Sequence, residues 1–251
     1  MAHAELHKEL TDTLERVFGL SAFRPGQEEI IDAVLDGSDS VVVMPTGGGK
    51  SLCYQLPAYL LHAGGYGPTV VVSPLIALMD DQVNGLDSRG VRAAAIHSGQ
   101  SADDNDLALD AFECGQLAML YVSPERLANP GFRRVLSRAS IARVAVDEAH
   151  CISQWGHDFR PEYTQIGEVT RALNVPTVAL TATATPSVVQ EIESVLGLES
   201  PVVHRGAFSR DNLSFRVECG GSEAVRAERV IALLREAGFD RALRIRWLVH
   251  E

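Results

Sequence analysis

The sequence predicts an α/β domain built on a mostly parallel central sheet with helices on both faces. Three observations predict it. Short β-branched runs recur along the chain, each followed by a small or glycine-rich turn and then an amphipathic segment. Most of these runs are continuously apolar rather than alternating, which is the pattern of parallel strands covered on both sides. The 251 residues are 46% hydrophobic and 22% charged, so the chain is long and apolar enough to bury a core and is not of disordered type.

Taken in order, helical spacing first shows at residues 27–35, ahead of a strand at 41–44. Residues 51–79 contain no Lys, Arg, Asp or Glu, and 29 uncharged residues are long enough to span a bilayer. Pro57, Pro68, Pro74, Gly64, Gly65 and Gly67 instead divide the stretch into a short helix, a turn and a strand at 69–73, so no membrane segment is expected. Helical spacing at 75–86, a strand at 93–97, helical spacing at 103–112 and a strand at 119–123 follow. Further strands are expected at 144–147, 177–181 and 202–205, with helical spacing at 187–196. Right-handed crossovers would place ligands at the carboxyl ends of the strands. After about residue 217 the texture changes: Gly220 and Gly221 make a break, Ser222 is a suitable N-cap, and 223–237 reads as one amphipathic helix ending at Gly238. The expected organisation is therefore a domain at 1–217 and a separate segment at 218–251.

The 22 Lys and Arg against 33 Asp and Glu leave a formal charge of −11, which excludes a protein that grips nucleic acid with its whole surface. Any such site must be local. Cysteines at 53, 114, 151 and 219 form no CxxC pair and no zinc-type spacing, and scattered thiols suit a reducing, cytoplasmic setting. The first eighteen residues carry charges throughout and have no secretory apolar segment.

The strongest chemical signal is VVVMPTGGGKS at 41–51. A strand ends in Thr46 and three glycines, Gly47, Gly48 and Gly49, followed by Lys50 and Ser51 at a helix start. Glycines let backbone N–H groups cradle phosphate oxygens, the helix N-terminus adds a favourable dipole, and the lysine neutralises phosphate charge. The Ser51 hydroxyl would ligate Mg²⁺. The strict pattern has glycine where this chain has Met44. The second signal is VAVDEAH at 144–150, where an apolar strand delivers Asp147 and Glu148 at its carboxyl end. Asp147 would reach Mg²⁺ through the metal's shell, and Glu148 would orient and deprotonate an attacking water. An acidic pair is often only a solvated turn, but beside a phosphate loop and at the end of a buried strand the two motifs argue for nucleoside triphosphate hydrolysis.

With these motifs the chain resembles, from about residue 14 to 217, the first RecA-like domain of RecQ-family DNA helicases, a P-loop NTPase domain of the DExH branch of superfamily 2. Met44 matches the helicase variant of the loop. FGLSAFRPGQEEII at 18–31 resembles the motif whose arginine and glutamine read adenine, here Arg24 and Gln27, with Leu20 at a position that can be aromatic. SPLIALMDDQV at 73–83, with Ser73, Pro74 and Gln82, and YVSPERL at 121–127, with Ser123 and Arg126, resemble the strand-end motifs that hold the DNA backbone. ALTATAT at 179–185 resembles the motif that couples the ATP site to DNA, through Thr181 and Thr183, towards which His150 would bridge. CISQWGHDFRPEY at 151–163 resembles the family's aromatic-rich loop almost letter for letter. Trp155, His157, Phe159 and Arg160 there would stack on bases and reach phosphate.

The resemblance implies ATP and Mg²⁺ as cofactors, single-stranded or forked DNA as partner, unwinding of 3′ to 5′ polarity, DNA repair or recombination as setting, and Lys50, Asp147, Glu148 and His150 as the catalytic set. FSRDNLSFRV at 208–217 resembles the segment that leaves the first domain of such enzymes, so 218–251 is expected to be the start of a second RecA-like domain, or a tail. The arginine that the second domain contributes is not among these residues, and 251 residues by themselves are expected to bind Mg·ATP weakly, hydrolyse it poorly and not unwind duplexes. A non-catalytic nucleotide-binding or regulatory fragment, an RNA helicase of the same superfamily, and a chain truncated or frame-shifted near Phe239 stay open as alternatives. His97 reads as structural, and Arg133, Arg134 and Arg138 read as a solvated face.

Overall fold

A computed structural model of the chain describes residues 2–153, 160–206 and 222–236. The chain divides into two units, residues 1–208 and 209–251. The described part of the second is one helix, Glu223–Glu236, on which Val225 and Ile231 are exposed.

The first unit carries β1 (Ser40–Val43), β2 (Thr69–Val72), β3 (Ala93–Ile96), β4 (Met119–Val122), β5 (Arg143–Val146), β6 (Thr177–Thr181) and β7 (Val202–Arg205). They form one sheet in the order β3-β4-β2-β5-β6-β1-β7, and every pairing is parallel. Each expected strand is present. Where an expected end runs past the strand, as at Met44, Ser73 and Asp147, that residue donates one last backbone bond across the sheet before the chain turns away, to Thr181, Val122 and Val72 respectively.

The continuous apolar runs have a plain cause. Successive side chains point to opposite faces, and both faces are covered. Val41 and Val43 enter one core with Val70, Val72, Val144 and Val146, while Val42, Val71, Ala145 and Leu180 enter the other. The second face is covered by α1 (Ala2–Arg16), α2 (Gln27–Leu35), α3 (Leu52–Ala63) and α4 (Ile76–Asp87), which bury Leu10, Leu14, Ile31, Leu56, Met79 and Leu86. The first face is covered by α5 (Ala102–Glu113), α6 (Pro124–Ala128), α7 (Pro130–Leu136), α8 (Pro161–Thr164), α9 (Ile166–Leu173) and α10 (Pro186–Leu196). Fully burying each such side chain stabilises by roughly 1.5–3 kcal/mol. On β7, at the edge of the sheet, Val202 and Val203 stay exposed.

Pro57 does not break its helix, contrary to expectation. It lies inside the twelve residues of α3, and only the glycines at 64, 65 and 67 end that segment. A proline removes one backbone bond, and burial of Leu52, Cys53, Tyr54, Leu56 and Ala58 against the sheet and α2 offsets the loss. Arg143, 2% exposed at the start of β5, donates to the carbonyls of Ser38 and Val34 and so ties the end of α2 to the sheet. Among the described residues no helix is long and apolar enough to cross a membrane.

Candidate functional site

Four neighbouring strands, β2, β5, β6 and β1, deliver their following residues to one edge of the sheet. The turn after β1 is the candidate phosphate loop. Gly47 and Gly49 have φ of 77° and 86°, in the left-handed region that suits glycine, and a Cβ on Gly48 would lie 2.8 Å from the Pro45 carbonyl oxygen. Lys50 Nζ donates to the Met44 carbonyl at 3.2 Å, which folds the side chain back over the loop. Ser51 has helical backbone angles and leads directly into α3. Behind the loop, Gln27 is 2% exposed and fully engaged: its Oε1 accepts from Arg24 N at 2.8 Å, and its Nε2 donates to Gly49 O at 3.0 Å. Arg24 Nη1 donates to Gly47 O. Arg24 and Gln27 therefore brace the loop carbonyls. They also line, with Leu20, Ser51, Gln55 and Gln82, a hollow of about 370 Å³ beside the loop.

Asp147 and Glu148 follow β5. Asp147 is 8% exposed, and its Oδ1 accepts from the Glu148 N–H at 2.9 Å. Burial, with the adjacent Glu148 charge second, pushes its carboxyl up to about 6. Lys50 acts on both carboxylates as a favourable charge. Glu148 has φ 48° and ψ 43°, a left-handed conformation that costs a non-glycine residue about 1–2 kcal/mol. The cost is offset by closure of the 3₁₀ turn Ala149–Ile152, where Cys151 N donates to Glu148 O at 2.9 Å, and by Tyr163, whose hydroxyl donates to Asp147 O at 3.0 Å. His150 Nδ1 lies 3.2 Å from Glu148 Oε2 and 3.0 Å from Thr181 Oγ1, and Thr181 Oγ1 donates to Thr183 O at 3.1 Å. The Cys151 sulfur, 3.9 Å from Nε2, and then the Glu148 carboxylate push the imidazole up to about 10. That hydrogen bond in turn holds Glu148 below the usual carboxylate range. A continuous link thus runs from the carboxylate after β5 to the threonines at and just beyond the end of β6. Burial pushes the Cys53 thiol up to about 12, which makes it an inert core group.

The structure provides a fit test for Mg²⁺. Asp147 is a buried carboxylate that faces a second carboxylate, and no ion pair to it forms among the described residues. Such a group is stabilised by a divalent cation, and its carboxylate oxygen, like the Ser51 hydroxyl, is a hard donor of the kind Mg²⁺ takes. The residues present fit the metal.

The other strand ends carry the remaining residues. Ser73 Oγ is buried and has no partner among the described residues. The Pro74 carbonyl accepts from Arg160 Nη1 at 3.2 Å, which brings Arg160 to the end of β2. Ser123 Oγ accepts from Arg126 N at 3.3 Å and caps α6, and Arg126 lies 5.2 Å from the Phe132 ring centre, its buried Nε without a partner among the described residues. Gln82 is not with this group. Its side chain accepts from Gln55 Nε2 at 2.6 Å and faces the hollow beside the phosphate loop, because it sits two turns along α4 from Pro74. Trp155, His157 and Phe159 lie outside the described residues, as does the segment at 208–217. His97 is 4% exposed, with Nε2 2.9 Å from Asp80 and Nδ1 accepting from Gly99 N. Arg133 spends its guanidinium on Leu127 O and Glu168.

Two groups escaped the sequence reading: Tyr163, which anchors Asp147 from 16 positions along the chain, and the pair Tyr54 and Tyr121, whose hydroxyls meet at 3.3 Å. For the pair a signal exists, since tyrosines on otherwise apolar elements ask for hydrogen-bond partners.

Comparison with known proteins agrees with this geometry. A family model described as DEAD/DEAH box helicase matches residues 24–192. The chain is 48% identical over 205 residues to the "ATP-dependent DNA helicase RecQ" of Pasteurella multocida, an alignment covering 81% of this chain and 32% of that protein. It is 43% identical over 227 residues to the "Probable ATP-dependent DNA helicase RecS" of Bacillus subtilis, covering 90% of this chain and 45% of the relative. The chain thus spans between about a third and under half of the length of these relatives. Among solved structures, the "hypothetical ATP-dependent RNA helicase from Sulfolobus tokodaii" superposes with a TM-score of 0.60 at 19% identity over 78% of this chain and 57% of that one, and the "DUF1998 helicase MrfA" with 0.63 at 16% over 92% and 41%. Both show a shared RecA-like helicase fold. By the family model and the sequence likeness to RecQ helicases, this chain belongs to the DEAD/DEAH box helicase family.

Proposed function

We propose that the chain is the nucleotide-hydrolysing first domain of a RecQ-type ATP-dependent DNA helicase, in which Mg·ATP turnover is coupled to single-stranded or forked DNA. The observation that carries this reading is the convergence of Lys50, Asp147 and Glu148 at the ends of β1 and β5, the two strands that flank β6, with Glu148 tied through His150 to Thr181 and Thr183. The phosphate loop and the start of α3 would bind the β- and γ-phosphates through backbone N–H groups, with Lys50 released from Met44 O to meet the charge. Ser51 and Asp147 would hold Mg²⁺, which supplies charge neutralisation between those phosphates. Glu148, kept ionised by His150, would orient a water and take its proton. Arg24 and Gln27 would read adenine from the hollow they line while bracing the loop. Ser73, Pro74, Ser123, Arg126, Arg160 and the aromatic residues Trp155, His157 and Phe159 would follow the DNA strand, and Gln82 would serve the nucleotide side instead. The −11 charge agrees with contact confined to those strand ends.

A polypeptide of these 251 residues alone would bind Mg·ATP weakly and turn it over slowly, without strand separation. The test is turnover and nucleotide affinity of the chain with no polynucleotide, with single-stranded DNA, and with RNA of the same sequence. Stimulation by DNA above RNA, lost in Lys50→Ala, supports the proposal. Equal response to both favours an RNA helicase, and nucleotide binding without measurable turnover at any polynucleotide concentration favours a regulatory fragment.

A further inference from the structure

We propose that Tyr54, Gln55, Tyr121 and Gln82 form a buried polar bridge through which the phosphate-loop helix and the strand-end loops move together, so that nucleotide and DNA binding reinforce one another. The proposal rests on the function above and names the device that couples its two sites.

The geometry is specific. Gln55 Nε2 donates to Tyr121 OH at 3.0 Å and to Gln82 Oε1 at 2.6 Å, and Tyr54 OH lies 3.3 Å from Tyr121 OH, with the two rings at 64° and their centres 6.4 Å apart. Both protons of one amide are committed, so rotation of Gln55 breaks a bond on one side or the other. Tyr54, Tyr121 and Gln55 are 2%, 1% and 5% exposed, in a core face otherwise made by Val71, Met79, Leu86 and Met119. Phenylalanine and methionine would fill the same volume without two hydroxyls and an amide to satisfy. Packing alone does not call for these polar groups. Position does.

Tyr54, Gln55 and Tyr121 sit within four residues of Ser51 or Ser123, and Gln82 lies two turns beyond Pro74. Tyr54 and Gln55 lie in the first turn of α3, and their backbone N–H groups both bond to Ser51 O, at 3.3 and 2.9 Å. Gln82 lies on α4, which starts directly after Ser73, Pro74 and Leu75. Tyr121 is two residues before Ser123 on β4. Apolar contacts slide, whereas a saturated hydrogen-bond set has discrete arrangements, so a shift of α3 as the phosphate loop closes is passed to α4 and β4 together. Burial pushes the Tyr121 phenol up to about 12 and that of Tyr54 well above its ordinary value, so both stay neutral and the bridge keeps its donors and acceptors across the physiological range.

The experiment measures the dissociation constant of a fluorescent ATP analogue with Mg²⁺, with and without a saturating single-stranded DNA oligonucleotide. Coupling is the ratio of the two constants. The wild-type chain should show a ratio of about fivefold or more. Tyr121→Phe, which breaks the contacts to both Gln55 and Tyr54, should bring it to within about twofold of unity, and Tyr54→Phe should lower it part of the way, while the affinity of each variant for either ligand alone stays within about twofold and the double variant loses no more than Tyr121→Phe. If Tyr121→Phe does not fold, Tyr54→Phe carries the test, because it removes one hydroxyl and leaves the Gln55 bonds in place. A ratio unchanged in folded variants overturns the bridge, as does a wild-type chain that binds both ligands with a ratio of one. Failure of the wild-type chain to bind Mg²⁺-nucleotide or DNA at all overturns the functional reading itself and removes the bridge with it.

Discussion

Replacing Asp147 by asparagine should make the metal-free protein more stable while removing its hold on Mg²⁺. Asp147 is 8% exposed and titrates near 6, against about 3.9 for an ordinary aspartate. Between those pH values the folded form holds a proton that the unfolded chain has lost, so folding loses stability as pH rises through the window. About two pH units at 1.36 kcal/mol each give a cost on the order of 3 kcal/mol above pH 7 and about half of that at pH 5. Asparagine keeps the acceptor for Glu148 N and carries no charge, so Asp147→Asn recovers most of the cost. For a unit of this size that amounts to roughly 5–10 °C in melting temperature. The assay is thermal unfolding of both proteins in chelator at pH 5 and pH 8, then in millimolar Mg²⁺. The gap should widen from pH 5 to pH 8 and shrink in Mg²⁺, which stabilises only the aspartate form. An asparagine variant that melts at or below the wild type at pH 8 in chelator would refute the assignment of Asp147 as a buried, charge-starved metal ligand.

Four other outcomes follow from the same geometry. Glu148→Gln should lower turnover by about 10²–10⁴-fold with nucleotide affinity nearly unchanged, read by steady-state turnover beside equilibrium binding. His150→Ala removes the group that depresses the Glu148 carboxyl, so the acid limb of the turnover profile should move to higher pH; a limb that stays in place contradicts that role. Gly49→Ala meets a φ of 86° and the Gln27 amide, and should cost at least about 1–2 kcal/mol in chemical denaturation together with nucleotide affinity. Gln27→Ala strips Arg24 N of its side-chain partner and removes one donor from Gly49 O, and should weaken Mg·nucleotide roughly tenfold, measured by titration.

Much of the fold was legible because its signals are local. Runs such as 41–43 and 70–72 are apolar at every position since both faces are covered, and Ser101 and Thr185 cap helices that the spacing had already indicated. The phosphate loop and the carboxylate pair were legible for the same reason, since each is a contiguous string at a strand end. Pro57 misled because the cost of a proline is local whereas its compensation, packing of α3 on the sheet and α2, is not. Gln82 was grouped with its sequence neighbours Ser73 and Pro74, and two helical turns carry its side chain to the hollow beside the loop at 46–51. Tyr163 and the Tyr54–Tyr121 contact depend on residues 16 and 67 positions apart, and only the sheet order brings them together.

The central claim is that the edge formed by the ends of β1 and β5 is a Mg·ATP site, and calorimetric titration of the chain with ATP, in Mg²⁺ and in chelator, tests it most directly. The account predicts binding that is strengthened by Mg²⁺ in the wild type, largely lost in Lys50→Ala, and no longer responsive to Mg²⁺ in Asp147→Asn. Binding of equal strength in all three proteins, or indifferent to Mg²⁺ in the wild type, would contradict it.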